Sequence, residues 1–310
     1  MLLFDMWPVA TPLLVICNHE LAEEVSKPST TFPWSVTKWK ASDHFVDLFG
    51  VRHMLWLEGE EWKQMRKKFN AGFSHKNLMT FLPTVLDKTA SCLDKLDHFS
   101  SSNQDFSLLE LTTNLTFEII AAVALGVGLD PQELNESEQV KTLARLHMEA
   151  IETFTHDNPH RWPWLSPRVT LKRRRLGRHI NKLLNDIIIH TKSQTEDPDF
   201  KSNSLLAVRL REIDNLTPYL LDETRDQLKF FLVAGSDTTA IALAYAIYEL
   251  SRSPRALAAL RAELNAIFGP ENTDPSSIRE ILSSSNAGDL MGKMHYVDAV
   301  IKETLRLHPP

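Results

Sequence analysis

The chain has 310 residues, 43% hydrophobic and 24% charged, an ordinary composition for a folded chain with a sizeable core. Its 40 acidic and 34 basic residues give a net charge of −6, which excludes a general electrostatic attraction to nucleic acid. Two cysteines exclude a disulfide scaffold and a multi-cysteine zinc site, and ten glycines leave little scope for Gly-rich loops.

The opening stretch, MLLFDMWPVATPLLVICNHELAEEV, is apolar but broken by Asp5, Pro8 and Pro12, and no Lys or Arg precedes Lys27. It lacks the positive start of a signal peptide and the unbroken length of a bilayer span. A strand is predicted at Leu13–Cys17, then a helix from the N-cap Asn18 through Val25, and the chain is expected to begin inside a fold, without an anchor. Helical spacing follows. Residues 59–70 align Trp62, Met65 and Phe69; residues 82–97 align Val85, Leu86, Leu93 and Leu96, with Cys92 on the same side. Residues 107–126 form an apolar helix closed by Gly126, and further helices are predicted near 136–154 and 168–192. Ser253-Pro254 starts a helix that closes near Gly269, and a last one runs from about 293 to the terminal His-Pro-Pro. Polar loops are expected at 129–137, 194–204 and 270–289. The fold class is mainly α, with a small β region near the N-terminus.

Residues 228–250, LKFFLVAGSDTTAIALAYAIYEL, interrupt an apolar run with Gly-Ser-Asp-Thr-Thr. Glycine costs a helix about 1 kcal/mol relative to alanine, and a buried carboxylate without partners costs more. Three conformations compete: a continuous, distorted helix; a strand, turn and helix of the phosphate-binding type; or a helix ending at Gly235 with Ser236 capping the next. Leu221, Leu228, Phe231 and Leu232 carry a helical period into the run, but the stretch alone leaves the choice open.

Two other places pair chemistry-bearing residues. Glu303 and Arg306 lie one turn apart at the edge of a stripe formed by Val297, Val300, Ile301, Thr304 and Leu305, which by itself describes an exposed ion pair. Trp62 and Arg66 share a helix face, either as a core Trp with an Arg passing it or as two pure donors suited to an anion. The basic run Arg168, Lys172, Arg173, Arg174, Arg175 and Arg178 reads first as a solvated helix face. His156 and His160 have helical spacing, but no third ligand follows with zinc-site logic, so no metal site is assigned from side chains.

Trp62…Arg66, Ala234-Gly235-Ser236-Asp237-Thr238-Thr239 and Glu303-Thr304-Leu305-Arg306, in this order, resemble the haem-thiolate monooxygenases of the cytochrome P450 superfamily. The resemblance spans essentially the whole chain, as one domain over 1–310. DMWP, EEWKQMRKKFNAGFS and VAGSDTTA are most similar to enzymes of fungal secondary metabolism. It implies a haem cofactor, an apolar small-molecule substrate and an NADPH-cytochrome reductase as electron donor, with no nucleic acid. Lys63, Lys67 and Lys68 would lie where that reductase docks, and the basic run would face a membrane. Relatives of full length are anchored at the endoplasmic reticulum; this chain reads as cytoplasmic.

The same resemblance implies roles for named residues. Ala234 and Gly235 would let backbone approach the porphyrin where the helix opens locally. Asp237 and Thr238 would be catalytic, delivering protons to oxygen; Trp62 and Arg66 would hold a haem propionate; Glu303 and Arg306 would form a buried structural pair. The family's iron ligand is a cysteine well beyond Glu-x-x-Arg, a setting that neither Cys17 nor Cys92 has. The chain is therefore expected to be an incomplete domain, inactive as written, and the alternative is a non-catalytic helical remnant or binding protein.

Overall fold

The computed structural model describes residues 2–5, 12–30, 45–127, 134–155, 166–270, 274–284 and 287–310. Two short strands, β1 (Leu2–Phe4) and β2 (Leu13–Val15), pair antiparallel with Leu2 opposite Val15. The helices are α1 (His19–Ser26), α2 (Val46–Phe49), α3 (Gly59–Asn70), α4 (His75–Met79), α5 (Leu82–Ser102), α6 (Leu108–Leu125) and α7 (Leu134–Thr155). They continue with α8 (Pro167–Gln194), α9 (Leu205–Arg211), α10 (Pro218–Arg252), α11 (Pro254–Phe268), α12 (Pro275–Leu282), α13 (Ala287–Met291) and α14 (His295–Leu307).

Local chemistry explains most boundaries. Asn18 caps α1 by accepting from the Leu21 N–H at 2.9 Å. Ser107 caps α6, with Glu110 three residues on, and Gly126 at φ 79° ends it in the left-handed region that suits glycine. The expected loop at 270–289 instead contains α12 and α13. Asp274 accepts from the Ser277 N–H and Pro275 opens α12, so a local cap and a first-turn proline start this helix. Likewise, α7 begins at Leu134 within the expected loop 129–137, and β2 ends two residues before Cys17.

The residues group into two compact units. The first comprises Met1–Ala71, Lys141–Phe200 and Arg209–Phe230; the second comprises Gly72–Val140, Lys201–Val208 and Phe231–Pro310. In the first, α8 buries Leu176, Ile180, Leu184, Ile187 and Ile188 along one helical stripe, and α3 buries Met65 and Phe69. The first half of α10 is polar yet buried there. Glu223 accepts from Lys68 of α3 at 2.8 Å and from the buried Arg209 at 3.4 Å. Asp226 accepts the backbone N–H groups of Val51 and Arg52 at 3.1 and 3.3 Å. A Cβ on Gly50, at φ 77°, would run into that carboxylate, so both conformation and space require glycine. In the second unit, α6 buries ten of its 18 residues, with Ala121, Ala122 and Ala124 fully enclosed.

Helices α6 and α10 are long and apolar enough to cross a membrane by length and composition. Within the fold, α6 hydrogen-bonds through its threonines to α10, as a core helix does. The basic run is exposed except for Arg173, which is buried, lies 4.0 Å over the Phe154 ring and donates to Thr153. His156 and His160 lie outside the described residues.

His147 of α7 is buried in the first unit, its Nδ1 2.9 Å from the Leu143 carbonyl, and burial pushes its pKa down to about 4 from the ordinary 6.5. The folded state keeps the ring neutral, whereas the unfolded chain takes up the proton near pH 6.5. The stabilisation is therefore present above pH 6.5 and lost as pH falls toward 4, by roughly 3 kcal/mol in all. Denaturant titrations between pH 7 and 4 should show this loss in the parent chain and its absence in His147→Leu.

Candidate functional site

The disputed stretch is helix throughout: α10 runs unbroken from Pro218 to Arg252, and the local opening implied by the resemblance is not found. Hydroxyls answer the question of why a helix tolerates this composition. Ser236 Oγ donates to the Leu232 carbonyl and Thr238 Oγ1 to the Ala234 carbonyl, both at 2.7 Å. Neighbouring α6 adds two more, Thr116 Oγ1 to the Ser236 carbonyl at 2.9 Å and Thr112 Oγ1 to the Ala240 carbonyl at 3.2 Å. Four carbonyls within three turns thus accept a hydroxyl, and each side-chain hydroxyl is satisfied without breaking the helix.

This seam sets the rotation of α10. Ser236 and Ala240 are buried, while Asp237, Thr238 and Thr239 are exposed on the other side. Ala234 and Gly235 are half-buried at the edge. Gly235 packs so closely that a Cβ there would lie 2.7 Å from Cγ1 and 3.2 Å from Cβ of Ile120. The glycine is thus explained within the fold by close helix packing. Among the described residues, Asp237 has no hydrogen-bond or ion-pair partner, so its carboxylate is open to a ligand or water.

In the first unit, Arg66 stands 5.5 Å over the Trp62 ring on α3. Trp62 is half-buried, Arg66 is exposed, and no carboxylate pairs with Arg66 among the described residues. Two donors on one helix face fit an acidic group, as the haem propionates are. Of the three lysines nearby, Lys68 is tied to Glu223 and Lys63 to Glu60, leaving Lys67 exposed.

Glu303 and Arg306 of α14 form a two-pronged pair at 2.7 and 2.8 Å, and the Arg306 fork holds Glu303 below its ordinary carboxylate range. The pair is exposed in this chain, whereas the resemblance implies a buried one: no described residue covers that face of α14. Sequence reasoning missed what positions α14. Glu263 of α11 accepts the N–H groups of Tyr296 and Val297 at 2.7 and 3.1 Å, and His308 stacks on Tyr245 and bonds Glu249 at 2.9 Å. It also missed Thr112 and Thr116, although two threonines four apart in an apolar helix are a readable signal.

Cys17 is exposed, and Cys92 is buried with its thiol pKa raised by that burial. Among the described residues, no cluster of three or more His, Cys, Asp or Glu side chains is arranged to hold a metal ion.

A family profile described as Cytochrome P450 matches residues 2–310. Cytochrome P450 monooxygenase polC of Polytolypa hystricis is 26% identical over 99% of this chain and 54% of its own length. Cytochrome P450 monooxygenase acrF of Aspergillus aculeatus is 27% identical over 98% of the chain and 59% of its own length. The chain thus spans somewhat over half the length of these curated relatives. A solved cytochrome P450, CYP102L1, superposes with a TM-score of 0.72 at 21% identity, covering 98% of this chain and 66% of that one.

The close contact at Gly235 has a measurable consequence. Gly235→Ala gains roughly 1 kcal/mol of helix propensity but overpacks Ile120, at a cost of about 1–3 kcal/mol. In denaturant titrations it should be neutral to destabilising alone and stabilising in an Ile120→Ala background. Equal effects in both backgrounds would place Ile120 out of contact.

Proposed function

The chain belongs to the cytochrome P450 family, and we propose that it forms part of a haem-dependent monooxygenase acting on an apolar small molecule. The observation that carries the proposal is the outward face of α10, where Asp237 and Thr238 stand exposed beside half-buried Ala234 and Gly235. Trp62 and Arg66 would hold an acidic edge of the haem, and Ala234 and Gly235 would lie against its face. Bound haem iron supplies the oxygen chemistry: one atom of dioxygen enters the substrate and the other leaves as water, using two electrons and two protons.

The residues of this chain would handle the protons. The Asp237 carboxylate can take a proton from solvent and release it along the exposed face of α10 toward Thr238. Thr238 Oγ1, now donating to the Ala234 carbonyl at 2.7 Å, keeps its lone pairs free to accept from a water that relays that proton. Electrons would come from an NADPH-cytochrome reductase, with exposed Lys67 on the docking side. Residues 1–310 would be one portion of a single domain whose relatives carry further sequence, and the Glu303–Arg306 pair would become buried against that sequence. The names of the fungal relatives support a role in monooxygenation, and we extend it to secondary metabolism at an endoplasmic-reticulum membrane.

Reduced, CO-bound absorption spectra test this reading. Supplied with haem, the 310-residue chain should give no thiolate-type Soret band, because neither exposed Cys17 nor buried Cys92, whose thiol pKa burial pushes up, stands in the sequence setting of the family's iron ligand. Joined to the C-terminal portion of a longer relative, it should give that band. Thr238→Ala in the joined protein should retain the band but release more hydrogen peroxide per product. A thiolate band from the chain alone would assign the ligand to Cys17 or Cys92, and unchanged peroxide yield would remove Thr238 from proton delivery.

A further inference from the structure

The first unit contains a cavity of about 640 Å³ between α8, α10 and the turn that follows α2, within the ~300–1,000 Å³ of small-molecule sites. One wall is a stripe of α8, Arg174, Arg178 and Asn181, at helical spacing. The facing wall is Arg225, Asp226 and Lys229 of α10. The floor is closed where Gly177 of α8 meets the Asp47 carbonyl, a position where a Cβ would approach to 2.6 Å.

Five cationic side chains, Arg52, Arg174, Arg178, Arg225 and Lys229, line this cavity against two carboxylates, Asp47 and Asp226. Asp226 is fully engaged: besides two backbone N–H groups it pairs with Arg225 at 3.2 Å and Lys229 at 3.4 Å. Arg52 and Arg225 also share Asp222, at 3.2 and 2.6 Å. Asp47 forms no ion pair within 4 Å among the described residues, and burial pushes its carboxyl toward the protonated form. Lys229 is 1% exposed, with one carboxylate beside it. Arg174 and Arg178 form no salt bridge among the described residues; Arg174 lies near enough to Asp47 to favour its charged form, and Arg178 Nε donates to the Arg174 carbonyl at 3.3 Å. The cavity therefore has two guanidinium groups outside any salt bridge, one turn apart on the same wall, and an excess of positive charge.

An exposed arginine needs no ligand, since water satisfies it. What distinguishes these two is that they rim an open concavity whose lining also includes apolar Val46, Val51 and Leu171. Water or a simple ion would answer the charge and leave the apolar lining wet. A polyphosphate would set several negative charges against the Asp226 carboxylate. We propose that this cavity binds an organic monoanion with an apolar body, its carboxylate held by Arg174 and Arg178 and its body against Val46, Val51 and Leu171. The site is independent of the haem reading.

Equilibrium dialysis of radiolabelled decanoate against the 310-residue chain tests the proposal. Decanoate should occupy one saturable site at least tenfold more tightly than methyl decanoate. R174Q/R178Q should weaken decanoate at least tenfold. Both side chains are exposed, so helical circular dichroism should be unchanged. R175Q, an exposed neighbour outside the lining, should bind as the parent does. Non-saturable uptake, equal affinity for the ester, undiminished binding by R174Q/R178Q, or equal weakening by R175Q would each overturn it.

Discussion

Two threonine hydroxyls determine what α10 can present. Thr112 and Thr116 of α6 donate to the carbonyls of Ala240 and Ser236, one turn apart on α10. These bonds are buried, and a typical one contributes about 1 kcal/mol, whereas leaving such a group without a partner costs about 1–3 kcal/mol. A helix turns 100° per residue, so holding positions 236 and 240 inward obliges 237, 238 and 239 to face away. Gly235 lets the two helices come close enough for the bonds to form, since Ile120 occupies the space a side chain would need. The carboxylate and hydroxyls of the Gly-Ser-Asp-Thr-Thr string are thereby sorted. Ser236 serves the packing, while Asp237 and Thr238 are available for chemistry.

The first half of α10 works on a different principle. Its buried residues include Glu223, Asp226 and Lys229, which are charged, and each has a partner of opposite sign or backbone donors. Removing one member of such a buried set typically costs about 3–5 kcal/mol, because the others are left unpaired away from water. The set ties α3, with Trp62 and Arg66, to α10 through Lys68, and ties the Gly50–Arg52 turn to it through Asp226. The candidate propionate donors are thus held by charges that carry none of the proposed chemistry.

Elements with local signals were readable from the amino-acid sequence. Helices α3, α6, α11 and α14 begin or end where side-chain spacing, a capping residue, a proline or a glycine says they should. The continuity of α10 was not readable, because two of the hydroxyl bonds that support it come from α6, more than a hundred residues earlier. Glu303 and Arg306 show the converse: as a local pair they describe an exposed bridge, and only the family pattern implied burial. In this chain the local description holds, because burial depends on what covers the face. Arg173 departs from its run for the same reason, since the Phe154 ring that buries it lies on another helix. The cationic cavity was invisible because Arg178 and Arg225, on its two walls, meet only once α8 and α10 have packed.

The rotation of α10 is what places Asp237 and Thr238 where a ligand can reach them, and it can be measured residue by residue. In a Cys17→Ser background, single cysteine replacements at Ser236, Asp237, Thr238 and Ala240 can be timed against a small thiol reagent. D237C and T238C should react at the rates of exposed thiols, and S236C and A240C at least a hundredfold more slowly. Similar rates at all four positions, or faster labelling at 236 and 240, would contradict the assigned face.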